Sequence, residues 1–350
     1  MDSRERFLSA LKFGKPDRIP LPSLFYSFHH ETVRRWQREG VRRDVHIVSN
    51  LGLERCDLVP VNIGPIPHYE QAELEEIEEW RLGIDREIHE KVEEGIEEVE
   101  ERFPIRGPEG VEVFKKILSP ESPARYPRFW EDYVRRVRGR SYPLGLYLGG
   151  PLSWLVEWIG PSGLAKELER GSSWVQDLAD YVVAFLAATL GRAVREIDLD
   201  FALFSEPRVY RLVMISDRGA VEGLLRRIYG PMIGWLKDNG IDLIILSSPG
   251  YLGDMIHLWV ELGINVLSVQ VEGGYDVASL RKLFGTRLSF IGNVDHRVLA
   301  WSKRDIAEEV GRKLSVFKEG GYIPAPDHTI MPDVPWENFE YFMDLMKKGA

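Results

Sequence analysis

The sequence predicts an α/β chain folded as a single (β/α)8 TIM barrel over residues 1–350, and three observations predict it. From residue 197 onward five short apolar runs alternate with helix-length segments, and each helix closes at or near a glycine before the next run begins. Successive βα units require a parallel sheet with helices outside, because parallel neighbours are joined only through a long crossover. Three more apolar runs lie upstream, and neither G-x-G-x-x-G after the first strand nor G-x-x-x-x-G-K-[ST] occurs, so open nucleotide-binding sheets lose their usual signature.

The N-terminal dodecapeptide reads as a charged amphipathic helix carrying Phe7, Leu8 and Leu11 on one side, without the apolar core of a signal peptide. Residues 19–25, 57–61 and 144–148 are the first three predicted strands. The other five are 201–204, 241–246, 264–269, 287–291 and 322–324. The longest apolar run, 181–190, falls short of the roughly 20 residues that cross a bilayer, so the expectation is a soluble, cytoplasmic protein.

Between the second and third predicted strands lies an insertion, about 68–125, that concentrates the charge. The chain carries 45 basic and 55 acidic residues, a net charge of −10. Residues 70–101 hold fifteen acidic against three basic residues, so the remainder is close to neutral at +2. Spacing within the insertion fits either a helix or a β-hairpin. No basic stripe exists to neutralise phosphates, which argues against nucleic acid or anionic membrane and for small molecules or proteins as partners. The single cysteine, Cys56, excludes a disulfide framework and any centre built on two thiolates.

In a barrel the reacting groups come from the C-terminal ends of the strands. Those ends carry Tyr26, Asn62, Glu206, Ser247, Gln270, Glu272, Asp295-His296 and Asp327-His328. His328 leads the candidates for acid/base work, stiffened by Pro324 and Pro326 and flanked by a carboxylate. An ordinary loop hydrogen bond would explain it equally well. Glu206 follows an apolar strand, where burial would raise its pKa into general-acid range, and its bland alternative is an ion pair with Arg208 or Arg211. Asp295 opens a helix, so capping explains it. Glu206, Glu272, Asp327 and His328 are the available oxygen and imidazole ligands for a divalent metal such as zinc. Tyr26, Asn62, Ser247, Tyr251 and Gln270 are expected to shape the substrate pocket.

Three stretches carry a resemblance to a known family. They are Arg4-Glu-Arg-Phe-Leu-Ser-Ala-Leu-Lys-Phe-Gly-Lys-Pro-Asp-Arg-Ile-Pro20, Ile291-Gly-Asn-Val-Asp295 and the ending from Gly320-Gly-Tyr-Ile-Pro-Ala-Pro-Asp-His328 to Trp336-Glu-Asn338. Together they resemble the uroporphyrinogen decarboxylase superfamily, which implies a (β/α)8 barrel and an activity among decarboxylases and corrinoid-linked methyltransferases. The departures are informative. Leu21-Pro-Ser-Leu-Phe-Tyr-Ser-Phe28 stands where the resemblance implies an arginine-rich grip on substrate carboxylates, Asn62 where it implies a catalytic aspartate, and Glu157 where it implies a tyrosine. The implied histidine survives as His328. Ser247-Ser248-Pro249-Gly250 replaces the His-x-Cys-Gly that the methyltransferase branch uses for zinc, so a cysteine-thiolate zinc site is not expected. Asp44-Val-His46 is followed by Ser49 where a corrinoid carrier needs glycine, so any corrinoid would ride on a separate protein.

The expected activity is transfer of a methyl group between a small O- or N-methylated substrate and a separate corrinoid protein. Its rivals are a decarboxylase or other lyase acting on a carboxylated ring compound such as a porphyrinogen, and a non-catalytic tetrapyrrole or corrinoid binder.

Overall fold

Seven parallel strands run in the order β1 to β7 without a crossover inside the sheet, and the computed structural model describes them within residues 1–41, 51–64, 103–250 and 252–349. The strands are β1 (Asp57–Leu58), β2 (Leu144–Tyr147), β3 (Phe201–Ser205), β4 (Ile244–Ser247), β5 (Val266–Val269), β6 (Ser289–Val294) and β7 (Tyr322–Pro326). The helices are α1 (Ser3–Leu11), α2 (His30–Arg38), α3 (Pro108–Ile117), α4 (Trp130–Val137), α5 (Pro151–Ile159), α6 (Pro161–Glu169) and α7 (Ser173–Glu196). They continue with α8 (Val209–Ile215), α9 (Arg218–Asp238), α10 (Met255–Leu262), α11 (Val277–Phe284), α12 (Lys303–Phe317) and α13 (Trp336–Lys348). The result is a curled, TIM-barrel-like α/β sheet wrapped by helices.

Strands β2 to β7 are largely apolar on both faces, as a sheet covered inside and out requires. Phe201, Leu203, Ile245, Ile291, Ile323 and Ala325 fill the interior, whereas Ala202, Phe204, Ile244, Leu246, Phe290 and Tyr322 pack outward under the helices. Period-two alternation separates the two sets. The Phe201 ring reaches across to β2, where a Cβ on Gly145 would lie 2.2 Å from it, so only glycine leaves room there.

The first predicted strand, 19–25, does not form. Pro20 and Pro22 supply no N–H to a ladder, and Ser23–Phe25 wind into a 3-10 turn instead. The segment still occupies the gap between β1 and β7, through isolated parallel bridges of Pro22 with Glu54 and of Phe28 with Ile330. Ser23 N donates to Glu54 O at 2.8 Å and Ile330 N to Ser27 O at 2.9 Å. Beneath the barrel, Arg4 of α1 reaches Asp200 at 2.7 Å and Arg140 reaches the same carboxylate at 2.8 Å, so the acids at the start of β3 are structural ties. The acidic insertion lies between β1 and β2; α3 belongs to it, and the helix-or-hairpin question concerns residues outside those described. Asp44, His46 and Ser49 also lie outside them. No helix among the described residues is long and apolar enough to cross a membrane.

Candidate active site at the ends of β6 and β7

β6 ends in Asp295-His296 and β7, its neighbour, in Asp327-His328. The exit of β6 is bent by two successive left-handed residues, Gly292 at φ 95° and Asn293 at φ 61°. Asparagine tolerates that conformation, and here its side chain is tied down, accepting from Val277 N at 2.9 Å and from Lys313 Nζ at 2.8 Å. Tyr322 Oη donates to Gly292 O at 2.7 Å, and Glu309 accepts from Asp295 N at 3.2 Å. The bend delivers His296 onto Asp327.

Asp327 is buried and accepts three hydrogen bonds. His296 N lies 3.0 Å and His296 Nδ1 2.9 Å from Oδ1, while Val271 N lies 2.9 Å from Oδ2. A carboxylate placed there fixes the imidazole with its proton on Nδ1 and leaves Nε2 as the working nitrogen. Nε2 has no hydrogen-bond partner among the described residues. The hydrogen bond that His296 donates to Asp327 is the largest influence on the imidazolium and holds its pKa above the usual histidine range, against the opposing effect of burial. The His328 ring lies 5.0 Å from that of His296, and its Nδ1 is 3.5 Å from Thr329 O. His328 itself is exposed at the rim.

Asp295, His296 and Asp327 form the one group among the described residues that could hold a metal ion, with their ligand atoms within 4.8 Å of one another. Of the four ligands expected from sequence only Asp327 is part of it; Glu206, Glu272 and His328 are not. All four carboxylate oxygens of the group already accept N–H hydrogen bonds, those of Asp295 from Arg297 N, Nε and Nη2 at 3.0, 2.8 and 2.7 Å. Within the group, the His296–Asp327 pair has the geometry to hold and move a proton. Glu272 is exposed in the turn after β5, and its charge is felt by both His296 and Arg297.

Glu206 sits elsewhere. It is fully buried at the end of β3, where it accepts from Leu152 N at 3.1 Å, from Ser153 N at 2.7 Å and from the Tyr229 hydroxyl. Leu152 and Ser153 belong to the first turn of α5, so the carboxyl satisfies two donors that the helix cannot. Gly150 makes the approach possible, since a Cβ there would lie 2.2 Å from Ser205 O and 3.1 Å from Glu206 Oε2. Burial pushes the carboxyl up to about 7, against the pull of these donors. None of its hydrogen bonds reaches Asp327 or His328.

Ser247 ends β4 half-buried, in register with Ser205 and Ser268 on either side. Gln270 opens the turn after β5, also half-buried. Asn62 lies after β1, its Oδ1 accepting from Gly64 N at 2.9 Å. Tyr26 is buried with its hydroxyl unpartnered, and burial raises its pKa. Tyr251 lies outside the described residues. Capping accounts for Asp295, as weighed from sequence, because its side chain accepts from Arg297 N. His296 was the residue under-ranked by that argument. The signal available was the Asp-His pair repeated at two consecutive strand ends, which a barrel places side by side.

Lys313 stands behind the dyad, buried, 2.8 Å from Asn293 Oδ1 and 3.5 Å from both Glu309 and Asp276. Lys313→Met leaves buried Glu309 with Arg312 as its one cation among the described residues and removes the hydrogen bond to Asn293 Oδ1, and is expected to cost about 2 kcal/mol of stability. Urea denaturation of the variant beside wild type measures it.

Residues 231–349, which contain both Asp-His pairs, match the sequence model of the uroporphyrinogen decarboxylase (URO-D) family. A uroporphyrinogen decarboxylase of Legionella pneumophila is 36% identical over 112 residues, which cover 32% of this chain and 31% of that protein. One from Pseudomonas fluorescens is 23% identical over 231 residues, 61% of each chain. The chain thus spans about a third of the length of the first relative and less than two thirds of the second. Among solved structures, a methyltransferase from Methanosarcina mazei superimposes with a TM-score of 0.56, covering 99% of this chain and 98% of its own at 15% identity, which is a likeness of fold.

Proposed function

We propose that this chain belongs to the uroporphyrinogen decarboxylase superfamily, and that within it the chain transfers a methyl group between a small O- or N-methylated substrate and a corrinoid borne by a separate protein. The observation that carries this reading is the His296–Asp327 dyad, with an unpartnered Nε2 at the end of β6. Cleaving a methyl–oxygen or methyl–nitrogen bond leaves an electron pair on the heteroatom, and a proton delivered there makes it a better leaving group. The His296 imidazolium donates that proton from Nε2, and Asp327 stabilises the charge on the ring until it does. A reduced corrinoid on the partner protein would supply the electron pair that accepts the methyl carbon. His328, Ser247 and Gln270 supply polar contacts around the substrate.

Two features support a substrate less charged than a polycarboxylate: the segment from Leu21 to Phe28 contains no arginine, and Asn62 is neutral. Asp295, His296 and Asp327 would be the holders of a divalent cation, which when bound supplies Lewis acidity at the same point. We assign the proton because Asp327 holds His296 through Nδ1 and leaves Nε2 unpartnered among the described residues. Elemental analysis of purified protein is expected to find no stoichiometric transition metal. Stoichiometric zinc lost in Asp327→Asn would overturn that assignment.

A decarboxylase is the second reading, favoured by the match of 231–349 to the URO-D family. Carbon dioxide loss also ends in protonation of carbon, for which the same dyad would serve. Dependence on the carrier separates the two. Turnover is expected only when a reduced corrinoid protein is added, whereas carbon dioxide release from a carboxylated ring compound without it would establish the decarboxylase.

A further inference from the structure

The opposite end of the barrel, where strands begin, carries a cavity of about 440 Å³ between the segment before β1 and the loop that joins α4 to β2. Its walls include Arg55, Arg136, Arg138 and Arg140, with Tyr133 and Tyr142. We propose that this cavity binds a small, multiply charged oxyanion, of the phosphate or dicarboxylate class.

The charge balance points to it. Arg55 pairs with Asp57 at 2.6 Å and lies 3.9 Å over the Tyr142 ring, and Arg140 pairs with Asp200 at 2.8 Å. Arg136 and Arg138 are exposed and meet no carboxylate among the described residues. Two positive charges therefore face the cavity without a counter-charge. Arg140 adds an independent observation. Its side chain is buried, yet its Nε has no hydrogen-bond partner, and leaving a charged donor buried and unmade is costly.

The ordinary explanation of basic residues here is the C-terminus of α4, whose dipole favours cations. That accounts for Arg135, which pairs with Asp132, and for Arg136 in the last turn. It does not account for Arg138, whose backbone is already extended beyond the helix, or for the orphaned Nε of Arg140. Gly139, at φ 66°, turns the chain so that both arginines line one cavity. Guanidinium forks match phosphate and carboxylate oxygens in pairs, and the volume falls in the range of small-ligand sites.

The test is calorimetric titration of the full chain with sodium phosphate, and separately with sodium malonate, with ionic strength held constant by sodium chloride. Saturable one-to-one binding is expected for at least one of the two, weakened tenfold or more in an Arg136→Gln/Arg138→Gln double variant. Those side chains are exposed and unpaired, so its circular dichroism is expected to match wild type. Saturation by phosphate assigns the site to phosphoryl groups, and saturation by malonate to dicarboxylates. No saturable binding of either, or binding of equal strength by the double variant, would overturn the proposal.

Discussion

His296→Gln is expected to lower turnover by about 100- to 10,000-fold, the range over which a positioned acid or base contributes. Glutamine keeps a polar side chain of similar reach but cannot carry and release the proton. The variant is expected to fold, because the backbone N of residue 296 still donates to Asp327 Oδ1. Asp327→Asn is expected to cost less than His296→Gln in protein that folds, since it leaves the imidazole present but poorly oriented. His328→Gln, on an exposed ring at the rim, is expected to alter KM more than kcat. Steady-state kinetics on the three variants reads the order directly, and a loss centred on His328 with His296 silent would reverse the assignment.

The largest effect on stability is expected at Glu206. Glu206→Ala leaves two N–H groups of α5 and the Tyr229 hydroxyl without their acceptor inside the protein, and is expected to cost about 3 kcal/mol or more. The pH dependence has a definite sign. A carboxyl whose folded pKa is raised from 4.5 to about 7 binds its proton more tightly in the folded state. Its contribution is fully present below the unfolded value, declines as pH rises between about 4.5 and 7, and is lost above the folded value. The decline amounts to about 3 kcal/mol on that shift. Urea unfolding across this window is expected to show the fall in wild type, and Glu206→Gln, which cannot ionise, is expected to flatten it. A flat wild-type profile would show that the donors of α5 outweigh burial.

Much of this architecture is written in local pattern. Seven of the eight predicted strands form, because each is an apolar run bounded by a helix terminus and a turn, and parallel neighbours follow chain order. The eighth failed on two prolines visible in the sequence. The apolar run 19–25 reads as a strand, but the missing N–H groups reduce it to single bridges. The site was legible only as a set of strand ends. That Asp327 and His328 would meet Asp295-His296 follows from β6 and β7 being neighbours. The direction of each side chain does not, since it depends on left-handed residues at 292 and 293 that turn His296 inward. Glu206 was expected to be buried and raised in pKa. What sequence could not supply was the reason: the first turn of α5, over fifty residues earlier, lands on its carboxylate.

The central claim is that His296 delivers the proton that lets a methyl group leave its heteroatom. It is tested most directly by mixing the protein with a panel of O- and N-methylated small molecules and a reduced corrinoid protein, and following the corrinoid's absorption spectrum. Wild type is expected to convert the corrinoid to its methylated form with at least one donor class, and His296→Gln, folded by circular dichroism, to leave it reduced. Methylation at an undiminished rate in His296→Gln, or carbon dioxide released from a carboxylated ring compound with no corrinoid protein present, would contradict the claim.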